Sequence, residues 1–438
     1  MSDAAVFCLI YLAALILFGA TGFYVAVVIM IITATSALWF YGTGMFSPMG
    51  DLAWSTSNNY VLISMPLFIL LGELLMRSGI TERMYQTLSM WMTRIPGRLL
   101  HTNIAASALF AATSGSSVAT AATIGTVAIP ALKARGYSDR LCLGSLAAGG
   151  TLGILIPPSL NMIIYGVMTD TSIGRLFIAG VIPGLLLSGC FMLIIAIAAI
   201  ARPGVAPFRA EDVKPIRERL AALPALIPPF LIVLGVTGSI YMGLATPTEA
   251  AAVGVLVAAG LAAWFRKLST GMLSATFLST MRTTGMVMLI ILAAFLMNFV
   301  IALLGIPQDI AAWVKSLGLN AVQVLWILLL IYMILGCFLE GLSMMITTIP
   351  ITAPLVIKLG VDPVWFGIFI VLVTELALIT PPVGINLYVV QGIRTDGGSI
   401  ADVIMGAIPF VIALILFTIL MIYFPQIALW LPNKMMGT

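Results

Sequence analysis

The chain has 438 residues, of which 61% are hydrophobic and only 8% are charged, and its mean hydropathy is +1.17. Because soluble domains carry about 25% charged residues, this composition excludes a soluble globular protein and indicates an integral membrane protein. The net charge of +4 does not indicate nucleic-acid binding, because the basic residues follow membrane topology, as described below. Long continuous apolar runs predict spanning helices rather than barrel strands.

The first half, residues 1–200, predicts scaffold helices followed by a polar-tipped hairpin and a broken helix. Apolar runs place the scaffold helices within residues 1–77, at 4–20, 23–42 and 58–77. An amphipathic arm helix at 80–98 is too polar to span, and we expect it to lie along the membrane surface. Two short apolar arms at 99–134 meet at Ser114-Gly115-Ser116-Ser117, which predicts a re-entrant helical hairpin. A helix at 138–167, broken at Pro157-Pro158, and a helix at 175–200 complete this half.

Residues 201–221 form the only strongly charged loop, which we expect to be a cytoplasmic linker. The second half, residues 222–438, begins with scaffold helices within 222–304. A short amphipathic piece at 306–319 is followed by a second hairpin at 320–358, whose tip is Glu340–Ser343. The remaining predicted elements are a helix at 362–393, broken at Pro381-Pro382, and a helix at 402–424.

The two halves correspond in sequence. The triplet at 128–130 is matched by the triplet at 352–354, and the first proline pair by the second, each 224 residues later; Asn161 is matched by Asn386 at an offset of 225. This steady offset predicts an internal duplication. If both hairpins are re-entrant, each half holds five of about ten spanning helices, and the odd number makes the second repeat inverted relative to the first.

The basic residues agree with this topology. All but four of the 20 Lys and Arg residues fall on one face of the membrane, the exceptions being Arg175, Lys315, Lys358 and Lys434. Basic residues accumulate in cytoplasmic loops, so both termini are predicted to lie outside. The first hairpin then enters from the cytoplasm and the second from the outside. Counting either hairpin as two full spans destroys the bias.

The two tips and the two proline breaks predict one central transport site. Broken helices in secondary transporters place carbonyls around a cation and helix N-termini near an anionic substrate, and hydroxyl and carbonyl ligands suit a hard ion such as Na⁺. The candidate cation-binding residues are Ser114, Gly115, Ser116, Ser117, Gly150, Gly153, Pro157, Gly341, Ser343, Thr374, Thr380, Pro381 and Gly384. The candidate substrate-binding residues are Ser116, Pro158, Asn161, Thr347, Thr348, Pro382 and Asn386. The competing interpretation of each break is a helix bend or a packing notch.

Two intramembrane carboxylates, Glu340 and Glu375, are candidate coupling groups, because burying a carboxylate in a membrane is costly. Each either couples transport to a cation or proton, or serves only as a structural hydrogen-bonding group. The sequence has no phosphate-binding motif and no catalytic constellation. We therefore expect no enzymatic activity, no organic cofactor and no use of ATP, and we expect an ion gradient to drive transport.

Four segments resemble the large membrane subunit of tripartite ATP-independent periplasmic (TRAP) transporters. They are residues 114–125 (SGSSVATAATIG), 153–159 (GILIPPS), 245–254 (ATPTEAAAVG) and 380–386 (TPPVGIN). The likeness extends over nearly the whole chain. It implies a fold of the elevator-type ion transporter superfamily, in a multi-pass protein of a bacterial or archaeal inner membrane. It also implies Na⁺-coupled import of an organic acid such as a C4-dicarboxylate, sialic acid or a sugar acid, with Na⁺ bound at the tips and breaks named above.

The resemblance implies two protein partners, a small four-helix membrane subunit and a periplasmic substrate-binding protein. Because the first apolar run begins near residue 4, the small subunit is expected to be a separate chain. The alternative within transport is a self-sufficient Na⁺/carboxylate symporter of related inverted-repeat fold. A membrane scaffold without transport activity is disfavoured by the duplicated polar breaks, and an intramembrane enzyme by the absence of a catalytic constellation.

Overall fold

The computed structural model describes residues 24–209 and 212–436, in which every regular element is a helix. The predicted helix at 4–20 lies outside the described residues. The α-helices are Val25–Tyr41, Phe46–Ser57, Ser64–Arg77, Ile80–Met92, Leu99–Ser114, Ser117–Lys133, Asp139–Thr151, Leu160–Thr169, Ile173–Ala201, Ile216–Ala222, Ile227–Tyr241, Pro247–Trp264, Thr270–Leu303, Ile306–Ser316, Ala321–Gly336, Gly341–Lys358, Pro363–Ile379, Ile385–Ile393, Ile400–Tyr423 and Gln426–Met436.

Within the described ranges, seven helices are long and apolar enough to cross a membrane by length and composition. The number rises to eight if Ile306–Ser316 and Ala321–Gly336, which meet at a bend of 119°, count as one broken span. Two predicted spans are absent from this number because their breaks divide them into short helices, such as Leu160–Thr169 and Pro363–Ile379, and Val25–Tyr41 is absent because it has only 17 residues. The number includes Gly341–Lys358, which was predicted as one arm of the second hairpin. The predicted all-α polytopic membrane fold is confirmed.

Local sequence signals explain where several helices begin. Thr246 and Glu249 form a reciprocal capping box at the start of Pro247–Trp264, with the proline in the first turn. Asn320 and Gln323 do the same for Ala321–Gly336. Such caps satisfy backbone N–H groups that have no partner within the helix. The second cap fixes the start of the second hairpin.

Several helical segments differ from the sequence-based boundaries, among them Gln426–Met436, which has no predicted counterpart. The arm helix predicted at 80–98 ends at Met92, because Pro96 cannot continue it and Gly97 and Arg98 both have positive φ. Phe46–Ser57 is a helix without a predicted counterpart, and it is too polar to register as an apolar run. The charged linker contains a short helix at its end, Ile216–Ala222.

Four helix pairs carry the breaks. They are the first hairpin (Leu99–Ser114 and Ser117–Lys133), the first broken helix (Asp139–Thr151 and Leu160–Thr169), the second hairpin (Ala321–Gly336 and Gly341–Lys358) and the second broken helix (Pro363–Ile379 and Ile385–Ile393). Helix starts in the second half follow their counterparts at the offset seen in the sequence: Gly341 follows Ser117 by 224 residues, and Ile385 follows Leu160 by 225. The order of hairpin, then broken helix, therefore occurs twice.

The first broken helix packs directly on the helix Ile400–Tyr423 through two glycines. A Cβ atom added to Gly144 would collide with the backbone of Gly406, and one added to Gly406 would collide with the carbonyl oxygen of Arg140. Small residues allow membrane helices to approach this closely. This contact joins the first broken helix to an element of the second half.

An ion-pair cluster ties the same elements together at one end. The guanidinium of Arg394, only 6% exposed, contacts Asp396 and lies 3.3 Å from Asp402 and 3.7 Å from Asp139. Lys133, at the end of the first hairpin, lies 3.2 Å from Asp396. The hydrogen bond from Arg394 holds the pKa of Asp396 below its usual range. The ion pairs of Arg394 with Asp139 and of Lys133 with Asp396 therefore join segments that are distant in sequence.

Replacing Arg394 with Met should lower the melting temperature at pH 7 by several degrees, because three carboxylates lose their shared cation. The lowered pKa of Asp396 contributes stability above its unfolded pKa of about 4, and this contribution disappears as pH falls. The difference between wild type and variant should therefore narrow below about pH 4. Arg140→Met, at an exposed site with one partner, Asp402, should have a smaller effect. A pH-independent difference would contradict the assignment.

Candidate functional site

The tip of the first hairpin is a two-residue turn between helices. Gly115 has a φ of 61° and ends Leu99–Ser114, a backbone conformation that favours glycine. Ser116 caps the next helix, accepting a hydrogen bond from the backbone N–H of Ala119 at 3.4 Å. The positive end of the Ser117–Lys133 helix dipole therefore begins at this tip.

Several oxygen atoms are gathered at the tip. The hydroxyl oxygens of Ser114 and Thr120 lie 3.1 Å apart, and the Thr120 hydroxyl donates to the carbonyl of Ser116 at 2.7 Å. Ser114, Ser117 and Thr120 are buried. The atoms that could bind a cation at this tip are all neutral oxygens, which fits a hard monovalent cation. Across the described ranges, no group of three His, Cys, Asp or Glu side chains could hold a metal ion.

The tip packs against the first helix break. The backbone N–H of Leu160 donates to the carbonyl of Gly115 at 3.5 Å. A Cβ atom on Gly115 would lie 2.8 Å from the carbonyl oxygen of Pro158, and one on Gly153 would lie 2.5 Å from the carbonyl oxygen of Ser116. Contacts this short leave no room for a side chain at either glycine. The two polar interruptions of the first half are therefore a single structural unit.

Asn386, from the second broken helix, reaches into this unit. Its Nδ2 atom donates to the hydroxyl of Ser117 at 2.7 Å and to the carbonyl of Ala147 at 3.2 Å. A Cβ atom on Gly150 would lie 3.0 Å from the same Nδ2. Asn386 is fully buried, and its Oδ1 has no hydrogen-bond partner among residues 24–209 and 212–436. An amide oxygen left unsatisfied in a buried polar cluster is an acceptor available to a ligand.

The tip of the second hairpin is organised by Glu340. Its carboxylate accepts hydrogen bonds from the backbone N–H groups of Leu342 and Ser343, at 3.1 and 2.9 Å, and from the Ser343 hydroxyl at 3.1 Å. Gly341 packs against Thr374, since an added Cβ atom would lie 2.7 Å from the Thr374 methyl. Glu340 thus has a structural capping role in this geometry.

The second helix break has a different environment from the first. Pro381 and Pro382 are exposed, whereas Pro157 and Pro158 are buried; the peptide bond within each pair is cis. The hydroxyl of Thr380 donates to the carbonyl of Leu376 at 2.6 Å. Gly384 has a φ of 35°, and an added Cβ atom would lie 3.0 Å from the carbonyl oxygen of Thr380.

The structure brings most of the predicted first-half residues together with Asn386. Asn161 is buried one residue into the helix that follows the first break. Thr347 and Thr348 lie elsewhere, in the wall of an apolar cavity beside Ile310 and Leu335. Both carboxylate oxygens of Glu375 are buried and have no hydrogen-bond partner within the described residues. Its predicted coupling role stays a prediction.

Two polar residues at the first tip and first break are not among the predicted cation-binding or substrate-binding residues. Thr120 lies one helical turn after Ser116, a spacing that places both residues on one face of the helix. The sequence of residues 114–125 therefore already indicated that Thr120 lies at the tip. Ser159 follows the first proline pair, and its hydroxyl bonds to the carbonyl of Ile154 and caps the helix that starts at Leu160. Its position after a break and before an apolar run is typical of a helix cap.

Comparison with known proteins identifies the family. The sequence profile of the family described as "Tripartite ATP-independent periplasmic transporter, DctM component" matches residues 12–427. The C4-dicarboxylate TRAP transporter large permease protein DctM of Pseudomonas aeruginosa is 38% identical over 379 residues, covering 86% of this chain and 87% of the relative. The sialic acid TRAP transporter large permease protein SiaM of Vibrio cholerae is 32% identical over 415 residues, covering 94% of each.

Solved structures share the fold at low sequence identity. The YdaH transporter of Alcanivorax borkumensis aligns with a TM-score of 0.68 and 13% identity, covering 94% of this chain and 97% of that one. MtrF of Neisseria gonorrhoeae aligns with a TM-score of 0.56 and 11% identity, covering 98% and 95%. These helices and relatives are those of a multi-pass inner-membrane transport protein. On the profile match and the identities, the chain belongs to the DctM component family of tripartite ATP-independent periplasmic transporters.

Proposed function

We propose that this chain is the large permease subunit of a Na⁺-coupled transporter that imports an organic acid. The observation that carries the proposal is the convergence of the first tip, the first break and Asn386 on one buried cluster of neutral oxygens. Broken helices meeting near the middle of a transporter are the usual setting for coupled ion and substrate sites.

Na⁺ is the proposed coupling ion, bound at the first tip by hydroxyl and carbonyl oxygens. Ser114, Ser116 and Ser117 supply hydroxyls, and the backbone beside Gly115 and Gly153 supplies carbonyls at close quarters. The second tip and second break, from Gly341 and Ser343 to Thr374, Thr380, Pro381 and Gly384, form the proposed counterpart site. Because one tip carries a carboxylate and the other does not, the two sites should differ in affinity.

The proposed substrate is an organic anion bound between the two breaks. Asn161, Asn386, Pro158 and Pro382 belong to these segments, and helix N-termini at Leu160 and Ile385 carry partial positive charge suited to a carboxylate. Thr347 and Thr348 are left outside the proposed substrate site, since their cavity is apolar. The relatives' names favour a C4-dicarboxylate or sialic acid, and a sugar acid remains in the same chemical class.

Family membership also supports two partners and a mode of movement. We propose a small four-helix membrane subunit and a periplasmic substrate-binding protein that delivers the anion. The hairpins and broken helices would move across the membrane as an elevator against the scaffold helices. The distribution of basic residues supports a topology with both termini in the periplasm.

Uptake by proteoliposomes tests the proposal. The chain alone should transport nothing, whereas the chain with the small subunit and a loaded binding protein should take up labelled C4-dicarboxylate or sialic acid under an inward Na⁺ gradient. Replacing Na⁺ by K⁺ at equal ionic strength should remove uptake. Uptake by the chain alone would favour a self-sufficient symporter, and equal uptake in K⁺ would refute Na⁺ coupling.

Replacing Ser116 or Thr380 with Ala should raise the Na⁺ concentration for half-maximal uptake by roughly two- to tenfold, the range expected when about 0.5–1.5 kcal/mol of hydrogen-bond energy is lost. Thr35→Ala is the control, because Thr35 is an exposed residue that bonds to its own helix at Ile31, as Thr380 does at Leu376. Unchanged Na⁺ dependence in both variants would remove these side chains from the cation sites.

A further inference from the structure

An apolar cavity of about 350 Å³ lies between the amphipathic helix Ile306–Ser316 and the second hairpin. Its walls come from three helices and include Ile310, Leu328, Ile351 and Leu355. Nothing in the proposed transport cycle uses this space, because it lies apart from the cluster around the first tip. The proposed cation and substrate sites therefore leave this cavity unassigned.

The wall chemistry excludes a polar ligand. The threonine hydroxyls of the wall are already engaged: Thr348 lies 2.6 Å from the hydroxyl of Tyr332 and donates to the carbonyl of Met344 at 2.8 Å. Thr352 donates to the carbonyl of Thr348 at 3.0 Å and lies 3.2 Å from Tyr332. A charged or polar molecule would lose its hydration without gaining partners, so the cavity suits a hydrocarbon.

The cavity is elongated along the hairpin. Its wall extends from Thr347 to Leu355 on one helix, which is about 12 Å at 1.5 Å rise per residue. It is bounded at the deeper end by Leu339, next to the second tip. This length suits part of an extended acyl chain.

The rim is built for contact with the bilayer. Trp313 is 64% exposed, and Leu317, Ile327 and Ile331 also expose large apolar surface at the cavity wall. Apolar side chains exposed on the helix Ala321–Gly336, which has no charged residue, face hydrocarbon rather than water. Trp side chains are enriched at the level of lipid headgroups, which supports contact between this rim and lipid.

We propose that this cavity binds one acyl chain of a membrane phospholipid. The acyl chain would lie between the amphipathic helix and the second hairpin, and it would limit how far these two elements move apart. Lipid would thus act as a structural ligand of the hairpin that carries the second tip.

Photo-crosslinking of the full-length chain tests the proposal. The purified chain is reconstituted with phosphatidylglycerol that carries a diazirine in the middle of one acyl chain, and labelled peptides are mapped by mass spectrometry. Labelling should concentrate on residues 306–319 and 341–358. Leu328→Trp fills the cavity and should reduce this labelling at least fivefold. Leu330→Trp is the matched control on the same helix, since Leu330 is 55% exposed and outside the cavity, whereas Leu328 is 5% exposed.

A second matched pair of variants distinguishes filling of the cavity from misfolding of Leu328→Trp as the cause of reduced labelling. Ile351→Trp fills the cavity from the second helix of the hairpin, and Ile357→Trp places the same residue on the exposed surface of that helix. Ile351→Trp should reduce labelling as Leu328→Trp does. Absence of labelling from the cavity wall in wild type, or full labelling in both filled variants, would overturn the proposal.

Discussion

Replacing Gly153 with Ala is expected to raise the Na⁺ concentration for half-maximal uptake by at least about tenfold, which corresponds to about 1.4 kcal/mol. The added methyl group would lie 2.5 Å from the carbonyl oxygen of Ser116 and 2.8 Å from the hydroxyl of Thr120. The Ser116 atoms at this contact belong to the backbone and cannot rotate out of the way. The first tip and the first break must therefore move apart. The oxygens gathered at the tip would then lose their common geometry. Uptake by the reconstituted three-component system, measured across Na⁺ concentrations, reads out the change.

Gly189→Ala is the matched control for this substitution. Gly189 lies within the helix Ile173–Ala201, and an added Cβ atom meets no atom of the described part of the chain within 4 Å. Alanine has the better helix propensity, so this variant should keep wild-type Na⁺ dependence. If Gly153→Ala behaves like the control, the contact between the first break and the first tip does not form the cation site.

Replacing Asn386 with Asp should reduce uptake more than tenfold at saturating Na⁺. The two side chains have nearly the same shape, but the carboxylate cannot donate to the Ser117 hydroxyl or the Ala147 carbonyl, which accept from Asn386 at 2.7 and 3.2 Å. A buried charge facing a carbonyl oxygen is costly, and it also repels an organic anion. Uptake should be reduced whichever loaded binding protein is supplied, because the substituted residue belongs to the permease.

Asn58→Asp controls for the change of residue type, since Asn58 is exposed and bonds only within its own helix region, to Trp54. Its uptake should match that of wild type. Wild-type uptake by Asn386→Asp would show that the link between the second broken helix and the first tip has no part in transport. Loss of folding is checked by gel filtration of both variants in the same detergent.

The sequence was sufficient to predict the positions of the breaks. Ser114–Ser117 and the proline pairs interrupt long apolar runs, and such interruptions force a change of backbone direction that composition alone reveals. The duplicated spacing likewise predicted where the second-half helices begin, because Gly341 and Ile385 follow their counterparts at the offset of the repeat. The breaks and the helix starts depend on residues that are close together in the sequence, so the sequence alone is enough to predict them.

The contacts between breaks could not be predicted in this way. Asn386 bonds to Ser117 across 269 residues, and no local pattern specifies which of several polar residues meets another after folding. The different exposure of the two proline pairs is also a tertiary property, because it depends on which helices pack around each pair. Thr347 and Thr348 show the converse: their residue type suited a polar site, but packing placed them in an apolar cavity.

Thermal unfolding of the purified chain in NaCl against KCl at equal ionic strength tests the central claim most directly. A cation that binds only the folded chain stabilises it by RT ln(1 + [L]/Kd), about 2.7 kcal/mol at 100 times Kd. The melting temperature should rise with Na⁺ and not with K⁺ in wild type and in Gly189→Ala, and the Na⁺ effect should be largely lost in Gly153→Ala. Equal stabilisation by both salts, or a full Na⁺ effect in Gly153→Ala, would contradict a Na⁺ site at the first tip and break.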